Sequence, residues 1–183
     1  MSVIKSEDNN DRQGFLKRCF SNTPNLRIHL VFWSIFTVGL TADLWSKQSI
    51  FFWLSQRQTS SFIIIDGFLE FVMAENSGAA FGIAAGQRYL LTAVSIVALI
   101  AIFGLFFFGR HKQKLVYIAL GLFAAGICGN LWDRLFNDGR VRDFIDVVYW
   151  PGRHWPAFNI ADSMLCVAVG LMIISSLRVP NRY

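Results

Sequence analysis

The sequence is poor in charge: only 16% of its 183 residues are Asp, Glu, Lys or Arg, whereas 54% are hydrophobic. Soluble domains carry about 25% charged residues and roughly 45–50% apolar ones. The low charge therefore argues against an ordinary soluble domain. The 18 Phe and six Trp suit a chain whose solvent is lipid, and the length predicts one domain.

Histidine and cysteine are also scarce, at three each. No HExxH pair is present, which argues against a zinc peptidase, and no CxxC spacing indicates a disulfide framework or a zinc site. The sequence also lacks the GxSxG elbow of serine hydrolases and the GxGD motif of presenilin-type and prepilin-type proteases. We therefore predict neither a metal nor a cofactor.

Four apolar segments reach about 20 residues, the length that a bilayer core about 30 Å thick requires. They predict an integral membrane protein, mainly α-helical, with four transmembrane helices. A polar cytoplasmic tail precedes them, and it carries no small-residue cleavage site after a short apolar core, so we expect it to be retained. The predicted boundaries are 1–27 for this tail, 28–178 for the membrane domain, 28–45, 89–108, 115–135 and 158–177 for the spans, and 179–183 for a C-terminal tail.

The distribution of Lys and Arg predicts the orientation. Cations concentrate in the N-terminal tail, in the short connection between the second and third segments, and after the fourth segment. With four spans these stretches share one side, which the positive-inside rule makes cytoplasmic. Both termini are then cytoplasmic and both long connections lie outside. The net charge of +5 is accordingly a topology signal, and we predict no nucleic-acid partner.

The first long connection contains a hairpin signal. Asp66-Gly67 lies between two runs rich in β-branched and aromatic residues. We predict a small extracytoplasmic β-sheet, a cradle over about residues 60–85, lying against the membrane.

Polar residues occur at one end of several apolar segments, where a charge is costly and marks function by default. The predicted topology brings these ends to the outer face at one depth. Residues three apart share a helix face, as Asn130 and Asp133 do. The set comprises Asp43 in the first segment, Asn130, Asp133 and Arg134 in the third, Asn159 and Asp162 in the fourth, and Asn76 in the outer connection.

Asp143 lies in the second outer connection, among apolar neighbours and shortly before the fourth segment. If that connection dips into the interface, Asp143 meets Asp162. Two carboxylates side by side in a partly dry site share one proton and titrate as a unit. Such a pair can take a proton from water and give one to a carbonyl oxygen, which hydrolyses a peptide without a metal.

Two other classes remain open from the residues alone. A small transporter or channel would use the polar cluster as a solute site, although four spans without interrupted repeats make this less natural. A non-enzymatic assembly factor would use the same residues as hydrogen bonds between helices.

Five motifs in order resemble those of lipoprotein signal peptidase (signal peptidase II), and the resemblance extends from about residue 28 to 177. The motifs are Asp43-Leu-Trp-Ser-Lys47, Glu75-Asn-Ser-Gly-Ala-Ala-Phe-Gly82, Gly129-Asn-Leu-Trp-Asp-Arg134, Val141-Arg-Asp-Phe-Ile-Asp146 and Phe158-Asn-Ile-Ala-Asp162.

The resemblance implies four transmembrane helices, an outer β-cradle and a short periplasmic helix in the bacterial cytoplasmic (inner) membrane. It implies an aspartic endopeptidase that cleaves prolipoproteins before the diacylglyceryl-modified lipobox cysteine, and inhibition by globomycin. We expect a monomer in contact with membrane lipid. The motifs assign catalysis to Asp143 and Asp162, and substrate binding or support to Asn76, Gly78, Phe81, Asn130, Arg134, Asn159, Asp43 and Asp133.

Some features depart from the family pattern, including the slightly long stretch Phe136-Asn-Asp-Gly139. Arg142 stands where an apolar residue usually precedes the catalytic aspartate, and a cation there is expected either to lower the pKa of the pair or to extend to water. The N-terminal tail is also long for the family.

Overall fold

Four long helices dominate the computed structural model, which describes residues 24–78, 84–109, 111 and 113–178. Each helix is long and apolar enough to cross a membrane. The prediction of a multi-pass membrane protein with four spans is therefore confirmed. The predicted tails fall mostly outside the described residues, at 1–23 and 179–183. The helices are α1 (Leu26–Gln56), α2 (Arg88–Phe108), α3 (Lys114–Phe136) and α4 (Ile160–Leu177).

Helix α1 is much longer than predicted, because it ends at Gln56 rather than near residue 45. Its start is capped by Asn25, whose Oδ1 accepts a hydrogen bond from the Ile28 N–H at 3.1 Å. At about 1.5 Å per residue the helix is roughly 46 Å long, so its last turns extend beyond the bilayer core. Ser46 and Lys47 suggested an end because they are polar, but both are buried inside the protein.

Helix α3 lies at the centre of the bundle and packs against the other three helices. Of its most apolar 18-residue stretch 56% is buried, against 22% or less for the other three helices. Small side chains let neighbouring backbones approach closely where no hydrophobic effect drives helices together. The small buried residues of α3 are Ala119, Gly121, Ala124, Ala125, Gly126 and Gly129.

A four-stranded antiparallel sheet joins the ends of the helices that carry the predicted polar residues. The hairpin signal is confirmed, because the first two strands flank Asp66-Gly67 and Gly67 has a φ of 68°. The prediction missed the last two strands, although the run after Arg140 is rich in β-branched and aromatic residues. In sheet order the strands are β1 (Ser61–Ile65), β2 (Leu69–Asn76), β3 (Val141–Trp150) and β4 (Arg153–His154).

The predicted short periplasmic helix has no counterpart in the described part of the chain, where the four spans account for every helix. Part of the predicted cradle, residues 79–83, lies outside the described residues.

Strand β3 is fastened directly to the start of α4. The N–H of Ile145 donates to the Phe158 carbonyl at 2.9 Å, and the N–H of Phe158 donates back to the Ile145 carbonyl at 3.0 Å. On the other edge of β3, Asp143 pairs with Ala74 of β2. These main-chain bonds fix β3 relative to the helix that follows it. They thereby also fix the position of Asp143 in β3.

Helices α3 and α4 approach each other closely at Gly126, where a larger side chain would not fit. A Cβ at this position would lie 2.7 Å from the Ala161 carbonyl oxygen and 2.9 Å from Leu165 Cγ. Because a backbone atom cannot yield as a flexible side chain can, we expect Gly126→Ala to destabilise the protein by about 1–3 kcal/mol. The measurement is the thermal unfolding midpoint in detergent.

The matched control is Gly170→Ala in α4, where a Cβ would meet no atom within 4 Å. This change is expected to stabilise the helix by about 0.5–1 kcal/mol, because alanine has the higher helix propensity. Equal midpoints for the two variants would contradict the packing described for α3.

Candidate active site

The two predicted catalytic aspartates come from different elements. Asp143 lies near the start of β3 and is almost fully buried, at 2% exposure. Asp162 lies in the first turn of α4, where it forms a capping box with Asn159. The Asp162 N–H donates to Asn159 Oδ1 at 3.0 Å, and the Asn159 N–H donates to Asp162 Oδ2 at 3.2 Å. The helix cap therefore holds the Asp162 carboxylate in place.

Asn159 joins the two aspartates. Its Nδ2 donates to Asp143 Oδ1 at 2.7 Å, while its main chain holds Asp162. Asn130 of α3 completes the arrangement, because its Nδ2 donates to Asp162 Oδ1 at 2.8 Å and its Oδ1 accepts from Asn159 Nδ2 at 3.1 Å. Four side chains predicted from the sequence thus form one hydrogen-bonded group, the Asp–Asn cluster of Asn130, Asp143, Asn159 and Asp162.

Lys47 of α1 links this cluster to a second group of side chains. We call this group the ionic layer, and it consists of Asp43, Lys47, Asp133 and Arg142. The Nζ of Lys47 donates to Asn130 Oδ1 at 3.0 Å and forms ion pairs with Asp43 at 2.8 Å and Asp133 at 3.3 Å. Lys47 and both carboxylates have no solvent exposure. Asp43 in turn accepts the Ala161 N–H of α4 at 2.8 Å. Lys47 therefore links α1 to α3, and its partner Asp43 links α1 to α4.

The sequence analysis did not include Lys47 among the site residues. The signal was available, because Lys47 follows Asp43 by four residues and the two therefore share a helix face. It was overlooked because the first span was predicted to end at residue 45, which placed Lys47 in the outer connection.

Arg134 lies on the other side of the cluster and contacts the end of β2. Its Nη2 donates to the Gly78 carbonyl at 3.0 Å, and the Gly78 N–H donates to Asn76 Oδ1 at 2.9 Å. Asn76, Gly78 and Arg134, which the motifs assigned to substrate binding or support, therefore lie together. Phe81, which belongs to the same predicted set, lies outside the described residues.

A cavity of about 1030 Å³ opens onto both aspartates. Asn76, Gly78, Asn130 and Arg134 also line it, so it collects polar groups from β2 and α3 as well as from β3 and α4. Its remaining wall is largely apolar. The apolar lining includes Val141, Trp155, Pro156, Phe158 and Leu165.

Burial and a neighbouring charge raise the pKa of Asp143. Removal from water, and next the negative charge of Asp162, raise the pKa of Asp143 from 3.8 to about 7. Hydrogen bonds from Asn159 and Asn76 and the charge of Lys47 oppose this increase in pKa. A carboxyl group that keeps its proton near neutrality beside a second carboxylate has the properties of a general acid paired with a general base.

The cluster contains no arrangement suited to a metal. Within the ranges that the structure describes, no three His, Cys, Asp or Glu side chains are grouped so that they could hold an ion.

Comparison with known proteins gives a consistent result. A family model described as signal peptidase (SPase) II matches residues 35–178. The lipoprotein signal peptidase of Geobacter metallireducens is 37% identical over 162 residues, which cover 87% of this chain and 96% of the relative. That of Rhodopirellula baltica is 36% identical over 164 residues, which cover 81% of this chain and 72% of the relative.

Two solved structures, both described as bacterial membrane enzymes determined by the in meso method, share the fold. The one at 2.3 Å resolution has a TM-score of 0.70 and 32% identity, covering 83% of this chain and 91% of its own. The one at 1.9 Å resolution has a TM-score of 0.66 and 30% identity, covering 86% of this chain and 97% of its own.

The raised pKa of Asp143 predicts how stability depends on pH. Between about pH 4 and 7 the folded protein keeps a proton on Asp143 that the unfolded chain has lost, so the free energy of unfolding falls as the pH rises. In the native protein this decrease in the free energy of unfolding is about 1.4 kcal/mol for each unit by which the pKa is raised. The side chain of Asp143→Asn cannot ionise, so the variant does not show the decrease. We therefore expect the variant to gain stability relative to the native protein from pH 4 to pH 7.

The measurement is the thermal midpoint of both proteins in detergent across this range. Asp66→Asn, which changes an exposed turn carboxylate, is the control and should follow the native curve. Parallel curves for Asp143→Asn and the native protein would show that Asp143 ionises normally.

Proposed function

The chain belongs to the signal peptidase II family of lipoprotein signal peptidases, and from this premise we propose that Asp143 and Asp162 form its catalytic pair. As a member of this family it is a membrane-embedded protease that removes signal peptides from lipoproteins. Membership favours the peptidase over the transporter and the assembly factor. The observation that carries the proposal is the joining of both aspartates by Asn159 at the wall of one cavity.

In the proposed reaction the pair holds one proton and binds one water. Asp162 accepts hydrogen bonds from Asn130 Nδ2 and the Asn159 N–H, and we assign it the role of the base. Asp143 is buried and has the raised pKa, which favours its protonated form. Asp162 takes a proton from the water while the water oxygen attacks the scissile carbonyl carbon. Asp143 donates its proton to the carbonyl oxygen.

The resulting tetrahedral intermediate has two hydroxyl groups on the former carbonyl carbon. As the carbon–nitrogen bond breaks, the protonated Asp162 gives its proton to the leaving amine. The Asp143 carboxylate takes a proton from one hydroxyl of the intermediate. The pair returns to its starting charge, and neither a metal nor a covalent intermediate is required.

Arg134 and Asn76 are proposed to hold the substrate backbone in the cavity. Arg134 is buried and lines the cavity, and a guanidinium has five N–H donors. Its Nη1 and Nη2 donate to the Asn130 and Gly78 carbonyls, and we propose that a further N–H donates to a substrate carbonyl. Asn76 lines the same wall and presents its amide beside Asp143.

The position of the cavity supports the proposed substrate class. It is bounded by apolar spans and by the sheet, and exposed apolar side chains such as Phe62, Ile63 and Phe68 cover β1 and the hairpin turn. We place this end of the bundle at the outer face of the inner membrane, with both termini cytoplasmic. A prolipoprotein is itself a membrane segment with a lipid on its cysteine, so a site at this depth can cleave before the diacylglyceryl-modified cysteine without extracting it.

Replacement of either aspartate tests the pair. Asp143→Asn and Asp162→Asn keep the size of the side chain but remove the acid and the base, respectively. Because each group is required in the same step, each change should reduce cleavage of a lipidated precursor by about 10⁴-fold or more. The measurement is a gel-shift assay of purified protein with a diacylglyceryl-modified prolipoprotein.

Asp66→Asn is the matched control, since it removes an exposed carboxylate at the hairpin turn, and it should cleave at the native rate. Globomycin should block the native protein, and size-exclusion chromatography should give a monomer. Cleavage at the native rate by either Asp143→Asn or Asp162→Asn would refute the proposed mechanism.

A further inference from the structure

Arg142 immediately precedes Asp143 on β3 but belongs to the ionic layer behind it. Its backbone N–H donates to Asp133 Oδ2 at 3.0 Å, and its Nε and Nη2 donate to Asp133 Oδ1 at 3.1 Å and 2.7 Å. Its Nη1 donates to Gln48 Oε1 at 3.0 Å. One residue of the sheet is thereby bonded to α3 and α1, the two helices that carry Asp133 and Gln48.

The ionic layer is neutral only because Arg142 is present. Asp43 and Asp133 contribute two negative charges, and Lys47 contacts both of them. Arg142 supplies the second positive charge, and only 16% of its side chain is exposed. Without it, the layer would have a net charge of −1 directly behind two further carboxyl groups.

The remaining charged groups nearby do not replace Arg142. Glu75 lies opposite Arg142 in the β2–β3 register, but its carboxylate pairs with Arg140 at 3.0 Å. Arg134 of α3 points to Gly78 and the cavity, and Asp162 of α4 belongs to the Asp–Asn cluster. Within the described residues, Lys47 and Arg142 are therefore the cations that contact the buried acids Asp43 and Asp133.

We propose that Arg142 is a positioning residue, which holds Asp143 in register with α3 and balances Asp133 so that the charge of Lys47 acts on the catalytic pair. This inference rests on the proposed function of Asp143 and Asp162. The three bonds to Asp133 fix the residue directly before Asp143, and misplacing a catalytic group by about 1 Å can lower the rate by up to roughly 10²-fold.

The charge balance has a predictable sign. Lys47 stabilises the ionised form of the pair, partly through its bond to Asn130, which also bonds Asp162. If Arg142 is removed, Asp133 becomes an unbalanced negative charge close to Lys47. The pair then ionises at higher pH, because a nearby negative charge disfavours a second one. The rising limb of the pH–rate profile should move to higher pH.

Arg142 does not line the cavity, so its removal should change turnover more than substrate binding. We expect Arg142→Val to lower kcat about tenfold to a hundredfold with KM changed less than about twofold. The rising limb should shift upward by roughly half to one pH unit. Arg142→Lys keeps the charge without the paired hydrogen bonds, so its limb should stay near the native position while kcat falls.

The double variant Arg142→Val/Asp133→Asn distinguishes charge balance from simple packing. It removes one positive and one negative charge, so the ionic layer is neutral again and the limb should return toward the native pH. Arg153→Val, an exposed arginine on β4 of the same hairpin, is the matched control and should leave kcat, KM and the pH profile unchanged. If Arg142→Val does not fold, Arg142→Gln, which also lacks the charge, serves in its place and should show the same shift.

A native pH profile and native kcat for Arg142→Val would overturn the inference. So would a lowered kcat with an unshifted limb, or a shift that the double variant does not reverse, because packing alone would explain either result. These outcomes are separate from the test of the proposed function, which fails if Asp143→Asn or Asp162→Asn retains the native rate of cleavage.

Discussion

The rest of the structure depends on the Lys47 ammonium group held between Asp43 and Asp133 with no access to solvent. Unpaired charges at this depth would be far more costly than the apolar contacts of these helices could offset. Asp43 also binds the first turn of α4 through the Ala161 N–H. The ion pairs therefore fix α1, α3 and α4 relative to one another at the end of the bundle where the cavity lies.

The sheet positions Asp143 next to these three helices. Main-chain bonds between Ile145 and Phe158 align β3 with the residue before the α4 cap, and Asn159 bonds across to Asp143. Asp162 is held by its helix cap and Asp143 by its strand, so rigid elements hold both carboxyl groups. The proposed reaction needs such rigidity, because misplacing a catalytic group by about 1 Å can lower the rate by up to roughly 10²-fold.

Hydropathy and charge placement predicted the four spans and the residues that converge, because a bilayer restricts which segments can span it. The hairpin followed from Asp66-Gly67 between two runs of β-branched and aromatic residues. Asn130, Asn159, Asp143 and Asp162 followed from motifs and shared helix faces. Lys47 was missed because its polarity suggested a helix end, and only the tertiary partners Asp43 and Asp133 explain its burial. The partnership of Arg142 with Asp133 was equally invisible, since strand β3 itself was not predicted.

The central claim is that two converging carboxyl groups share one proton near neutral pH. Difference infrared spectroscopy of carboxyl-labelled protein in detergent tests it directly, because a protonated carboxyl group has a separate carbonyl stretch. We predict one such band that disappears with a midpoint of about pH 7 and is absent from Asp143→Asn. A native protein in which every aspartate is already ionised at pH 5 would contradict the claim.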